Sequence, residues 1–397
     1  MKDVGTVRQI GLDVHRKFSV ASARGTDGRV IWRERLRHED RGRLRLALGA
    51  WPKGVPVVME ATFGWGWLSD EVAAAGLEPH LASSTKVAAW RKARGLAKSD
   101  RVDADLITEL PMEAGQRWWE VWLAPPEVRQ QREWLRYRMM LVRLQSSLKN
   151  RVHAVLHRHG IVNEHSDLFG AAGRRTLQVL LRSKEAPLPD SARSILKGYL
   201  QCLDHLRRQI AEATRELRNQ VCRSPAGELL RTIPGLGFVL SYTILAEVGH
   251  IDRFHTSRHL ASYSLLAPRA NESGREEHDD APQGRHVGHI GRRTLKWAWI
   301  EAAHSAVRHG GRFRAVFDRR TNNGRRDRSR GYIAVAHELC KLAHVVWKKG
   351  VAYREDPPPR PGSIKRGQSS CPGTGQPAPA MAAAESSPSG KRLQASW

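Results

Sequence analysis

The sequence predicts an α/β domain followed by a helical remainder and an unfolded tail, and three observations predict it. Short apolar runs alternate with helical segments up to about residue 115. Beyond that point apolar residues recur at three- and four-residue spacing, the helical period. From about residue 355 the chain turns to Pro, Gly, Ser and Ala, with too few large apolar residues to fold. The boundaries expected from these shifts are 1–115, 116–225, 226–353 and 354–397.

In the first segment, Val7 to Leu12 is an apolar run that ends at Asp13. Phe18 to Ala23 and Arg29 to Arg35 follow as two more strands, separated by the turn signal Gly25-Thr26-Asp27-Gly28. A helix around Arg41 to Ala50 precedes Val55-Pro56-Val57-Val58-Met59, a buried-type strand that ends at Glu60. A helix over Trp67 to Ala75, a strand near Pro79 to Ala82 and a helix from about Lys98 to Leu110 complete the set. Three meandering strands followed by alternating helices and strands is the order of a ribonuclease-H-like fold.

In the middle, from about 127 to 223, Leu196, Tyr199, Leu203, Leu206, Ile210, Ala213 and Leu217 share one helical seam. Leu141, Leu144, Leu148, Val152 and Val155 do the same in the preceding helix. An intramolecular hairpin and an intermolecular coiled coil both satisfy this pattern. The third segment begins with Ile233-Pro234-Gly235-Leu236-Gly237, then an apolar helix through Leu245. Gly235 and Gly237 would let backbone N–H groups approach a phosphate, as in a helix-hairpin-helix element, or simply turn the chain between packed helices.

Charge narrows the function classes. The 397 residues carry 66 Lys+Arg against 40 Asp+Glu, a formal net charge of +26. Nucleic acid is the first partner this implies and an anionic membrane surface the second. Nearly all of the excess lies outside the tail. Cys202, Cys222, Cys340 and Cys371 form no CxxC pair, which argues against a disulfide framework or a cysteine zinc site. There is no apolar run long enough to span a membrane and no signal-peptide core, so a cytoplasmic location is expected.

Four carboxylates stand out by position. Asp13 and Glu60 close strands of one domain, and Asp100 and Asp103 share a face at a predicted helix start. Converging carboxylates repel unless a hard cation neutralises them, and Mg²⁺ (or Mn²⁺) takes carboxylate, water and phosphate oxygens. Such ions stabilise the attacking and leaving oxygens of a phosphodiester exchange. Each acid alone reads as a solvated charge or a helix cap; together, in a basic α/β chain, they read as a metal site.

Here the sequence resembles a family. Ile10-Gly11-Leu12-Asp13-Val14, Val58-Met59-Glu60-Ala61-Thr62 and Lys98-Ser99-Asp100-Arg101-Val102-Asp103-Ala104 look like the DEDD signature of the IS-110/IS-1111 insertion-sequence transposases. Further on, Ile233-Pro234-Gly235-Leu236-Gly237, Phe254, Leu260 to Pro268 and Glu272-Ser273-Gly274 occur in that family's order. The resemblance covers about residues 7 to 350. It implies a RuvC-like domain in which Asp13, Glu60, Asp100 and Asp103 bind divalent metal. It also implies that Ser273 attacks the DNA backbone in a composite site between subunits, within dimers that pair into a tetramer. A structured bridge RNA would guide recombination between donor and target DNA. The chain departs from the pattern where Phe63 precedes Gly64, at Ser83-Ser84, and in the acidic stretch after Gly274.

Gly311 to Arg330 holds Arg312, Arg314, Arg319, Arg320, Arg325, Arg326, Arg328 and Arg330 against Asp318 and Asp327. Arginine pairs phosphates bidentately, so this stretch is expected to bind nucleic acid. His153, His157 and His159 lie without cysteine or acid support, which favours nucleic-acid contact over zinc. Two other readings stay open. One is a RuvC-like endonuclease that uses water; the other is an inactive relic that only binds DNA or RNA.

Overall fold

The computed structural model describes residues 7–113, 115–183, 185–267 and 293–355. The expected tail from 356 onward and the segment 268–292, which carries Ser273, lie outside the described residues.

Strands β1 (Val7–Val14), β2 (Phe18–Gly25) and β3 (Val30–Arg37) form an antiparallel meander. Helix α1 (Arg41–Gly49) begins at Asp40, whose side chain accepts from the Arg43 N–H at 2.9 Å. Strand β4 (Pro56–Glu60), helix α2 (Trp65–Ala74) and strand β5 (Glu78–Ala82) follow, with β4 parallel to β1 and β5 parallel to β4. The two-residue strand β6 (Glu120–Val121) closes antiparallel on β5, and the order is β3-β2-β1-β4-β5-β6.

Both faces of this sheet are covered, which explains why Val57, Val58 and Met59 are all buried. Ile10, Leu12, Val57 and Met59 pack with Leu44 and Leu48 of α1 and Leu68 and Val72 of α2. Val58 and Ala82 face the other way, toward Val87 of α3 (Ser84–Ala93) and Leu106 and Ile107 of α4 (Asp100–Ile107). Helix α3 lies between Ala82 and Lys98, where the sequence predicts no element. The predicted helix from Lys98 starts at Asp100 because the Ser99 hydroxyl caps it, accepting from the Val102 N–H at 3.2 Å.

The middle is two long helices with a short one between them: α5 (Pro126–Arg158), α6 (Ala171–Arg182) and α7 (Asp190–Arg223). The two expected helices are separated by two breaks, with α6 between them. Gly160 turns at φ +68° after α5, and Pro189 sits at the N-cap of α7. Helices α5 and α7 run antiparallel against each other. Tyr137 donates to Gln209 at 2.9 Å and Arg138 to Thr214 at 2.8 Å, while Val152, Val155 and Leu156 share a core with Leu196, Leu200 and Leu203. The α7 seam therefore faces a partner inside the same chain.

The remainder consists of α8 (Pro225–Arg231), α9 (Phe238–Val248), a 3₁₀ turn (Ile251–Arg253), α10 (Ser257–Tyr263), α11 (Arg293–His309), α12 (Gly311–Thr321) and α13 (Arg328–Lys349). Helix α9 is mostly apolar and buried from Ser241 through Val248, the pattern of a helix at the centre of a core. Helices α5, α7, α8 and α11 surround it, and Leu135 of α5 with Leu217 and Val221 of α7 join the same core. Among the described residues no helix is long and apolar enough to cross a membrane.

Candidate active site

The site is built around Gly11. A Cβ there would stand 2.5 Å from the Ala104 carbonyl oxygen and 2.9 Å from the Thr108 methyl, so only glycine lets α4 lie on β1. Side chains alternate along a strand, so Asp13 leaves β1 on the same face as Gly11, toward α4. Leu12 of β1 is registered with Met59 of β4, and one step further along the parallel pair sets Asp13 beside Glu60. The first turn of α4 contributes Asp100 and Asp103.

Their electrostatics follow from this crowding. Burial pushes the Asp13 carboxyl above the usual carboxylate range; His15 pulls it back, and Asp103 and Asp100 push it up further. Glu60 is raised by burial first, then by repulsion from Asp13 and Asp103, against the pull of a Ser84 hydrogen bond and Arg91. His15 Nε2 lies 3.1 Å from Asp13 Oδ2 and 3.4 Å from Asp100 Oδ1. One ligand atom each from Asp13, His15 and Asp100 fits within 4.8 Å. Asp103 is only 7% exposed and receives Arg91 Nη1 at 2.7 Å. The structure thus brings all four predicted acids into one neighbourhood and gives Asp103 a cation of its own.

His15 and Arg91 were missed in the sequence. His15 carried a signal, its placement two residues past a strand-end Asp, whereas Arg91 sits on the unforeseen helix α3.

Two family models match the chain. One described as transposase, of the DEDD IS110 kind, covers residues 10–161, and one described as transposase IS116/IS110/IS902 family covers 227–318. The chain belongs to this transposase family. It is similar to the transposase for insertion sequence element IS1111A of Coxiella burnetii, 26% identical over 281 residues, 70% of this chain and 72% of that protein. The transposase for element IS1328 of Yersinia enterocolitica is 25% identical over 275 residues, 68% of this chain and 76% of that one. A pilin gene-inverting protein of Moraxella bovis is 30% identical over 146 residues, 36% and 42% of the two chains.

In this transposase the other predicted contacts divide. Arg312, Arg314, Arg319, Arg320, Arg325, Arg326, Arg328 and Arg330 are all exposed, on α12, the turn after it and the start of α13. Phe313 and Phe317 root this segment in the core, so the arginines ride on a folded support. Arg314 pairs with Asp318 at 2.8 Å. Gly235 lies at φ +89° against Ala302 and Ala306 of α11, a packing contact that explains its lack of a side chain. Gly237 is exposed at the N-cap of α9 with open space around its Cα. Ser273 lies outside the described residues.

Proposed function

We propose that this transposase cuts and rejoins DNA at the carboxylate cluster on β1, β4 and α4, with Mg²⁺ or Mn²⁺ held by Asp13, Glu60 and Asp100 and with Asp103 at its edge. The supporting observation is the convergence of these acids with raised pKa values, since oxygen donors that repel one another suit a hard divalent cation. A bound ion supplies charge stabilisation to a phosphate oxygen. Arg91 fixes Asp103, and Ser84 orients Glu60. His15, in reach of Asp13 and Asp100, can hold a proton beside the phosphate.

The meander, the parallel strands β4 and β5 and the helices on both faces support a RuvC-like, ribonuclease-H-like reading of residues 1–115. Ser273, from the segment 226–353, is the nucleophile in this reading. Its hydroxyl attacks the scissile phosphorus and passes its proton to a base as the sugar oxygen leaves and takes one up. A hydroxyl of the new strand then attacks the phosphoserine and frees the serine. The exposed arginines of α12 and α13, with Gly237, contact phosphates of donor and target DNA and of a structured bridge RNA. The second element of the coiled-coil reading is a face of α5. Trp134, Tyr137, Met140 and Leu144 are exposed at three- and four-residue spacing, a stripe suited to a second copy of the chain in a dimer that pairs into a tetramer.

Glu60→Gln and Ser273→Ala test this together on DNA spanning the element junction. E60Q is expected to abolish metal-dependent strand cutting, and S273A to abolish the covalent protein–DNA product. Retained nicking by S273A would replace the serine with water as nucleophile. Retained cutting by E60Q would remove the site from the carboxylates.

A further inference from the structure

Three residues beyond Glu60, the Phe63 ring keeps 84% of its surface in water. A lone exposed apolar side chain needs no explanation by itself. This one is singled out by its mounting and its neighbours. The turn that carries it is tied to the sheet end, with the Ala61 N–H donating to the Ala82 carbonyl at 2.8 Å and the Thr62 N–H to the Glu60 carbonyl at 2.8 Å. On its other side the chain enters α2 directly at Trp65, with Gly64 as the N-cap. The ring is therefore held out from a fixed base beside the carboxylates.

The residues that bracket the turn lead into a cleft. Ala61 and Trp65 line this space of about 700 Å³ with Trp122, Arg132, Arg136 and Arg253, and among the described residues no carboxylate lines it. Arg132 and Arg253 are held by the Ala246, Glu247 and Val248 carbonyls, while Arg136 is exposed. Thr62 and Gly64 flank Phe63 with little apolar surface. One exposed ring, three residues beyond Glu60 and in the turn that borders the cleft, matches one base of a polyanionic strand. A protein partner would need a broader apolar surface.

We propose that Phe63 stacks on an unpaired base of the DNA strand whose phosphate lies at Asp13 and Glu60, with the strand's backbone passing toward the exposed Arg136. This rests on the reading of the carboxylates as the DNA-processing site. Stacking on an aromatic ring tolerates any base, so Phe63 holds the strand open beside the cut without selecting its sequence.

The test uses the full chain in EDTA with a duplex bearing a single-stranded tail that contains 5-iododeoxyuridine. Irradiation is expected to crosslink the tail to Phe63, as located by mass spectrometry. Phe63→Ala is expected to lose the adduct and to bind the tailed duplex about tenfold more weakly, with an unchanged melting curve. Phe63→Trp is expected to restore binding. Wild-type affinity in F63A overturns the proposal, and so does an adduct confined to another aromatic such as Trp118. A loss seen on phosphatidylglycerol vesicles but not on DNA overturns it as well. Because binding is read without metal, the two readings can fail separately. E60Q that still cuts, combined with F63A that loses the tail, uncouples the stacking contact from the carboxylates. E60Q that is inactive, with F63A unchanged, removes the stacking contact alone.

Discussion

Helix α4 lies between two regions of the same sheet, and the two regions treat their carboxylates in opposite ways. Asp105 faces β2 and β3. Burial pushes its carboxyl up, but Arg33 at 2.7 and 2.8 Å and the Ser22 hydroxyl at 2.6 Å outweigh it and hold the pKa below the usual range. One turn away, Asp100 joins Asp13 and Glu60, where burial and mutual repulsion raise the Asp13 and Glu60 carboxyls. Asp105, Asp13 and Glu60 are all partly buried carboxylates beside α4, and the partners differ. An acid supplied with cations by its own fold is a structural bond, whereas acids left to repel one another keep a place for a cation from outside.

The comparison breaks most visibly in catalysis. Asp13→Asn is expected to slow metal-dependent strand cutting on the order of a hundred- to a thousandfold, the scale of losing one electrostatic stabiliser of a transition state. Asp105→Asn is expected to leave single-turnover cutting within a few-fold of wild type, and an equal loss in both would erase the distinction. Gly11→Ala attacks what the two regions have in common. Its Cβ would press on the Ala104 carbonyl, so α4 must shift, at a cost of about 1–3 kcal/mol in denaturant unfolding. Asp100 and Asp103 move with α4, and cutting should fall alongside stability.

Smaller effects sharpen the contrast through its sign. Asp105 has a lowered pKa, so its contribution is present at neutral pH and is lost as pH falls through its folded pKa. D105N should therefore lose about 1 kcal/mol at neutral pH, a modest figure because Arg33 is partly exposed. Asp13 has a raised pKa. Its ionised form costs stability, a cost that builds as pH rises from the usual carboxylate range through the folded pKa and is complete above it. D13N without metal should melt roughly 2 °C higher than wild type at neutral pH, with the gain shrinking as pH falls. Added Mg²⁺ or Mn²⁺ should raise the wild-type Tm and leave that of D13N nearly unchanged.

Much of the N-terminal architecture was legible from local signals. The apolar runs ending at Asp13 and Glu60 announced two strand ends of one domain, and the helix bearing Asp100 and Asp103 was legible to within two residues of its start. These are short-range patterns, readable without knowing what packs where. His15 and Arg91 were harder because their roles depend on distance across the fold. Arg91 meets Asp103 only after α3 and α4 have both docked on the sheet. Gly11 was quoted for its place in a motif, while its physical reason, the closeness of α4, belongs to tertiary packing. The seam on α7 was clear from spacing, but its partner was not, since the same apolar stripe fits a helix from either chain. The eight arginines, expected from the sequence to bind nucleic acid, are all exposed, since no helix face could bury so many charges.

The long helices α5 and α7 have a consequence for reach. One end of the pair is rooted in the C-terminal core through Leu135, Leu217 and Val221, and the other closes its own small core around Val152, Phe169 and Leu196. Thirty-three residues of helix extend about 50 Å, comparable to the rise of about fifteen base pairs of duplex. Doubling the helix stiffens it into a boom, so a contact made at the tip is held more than one full turn of double helix away from the root.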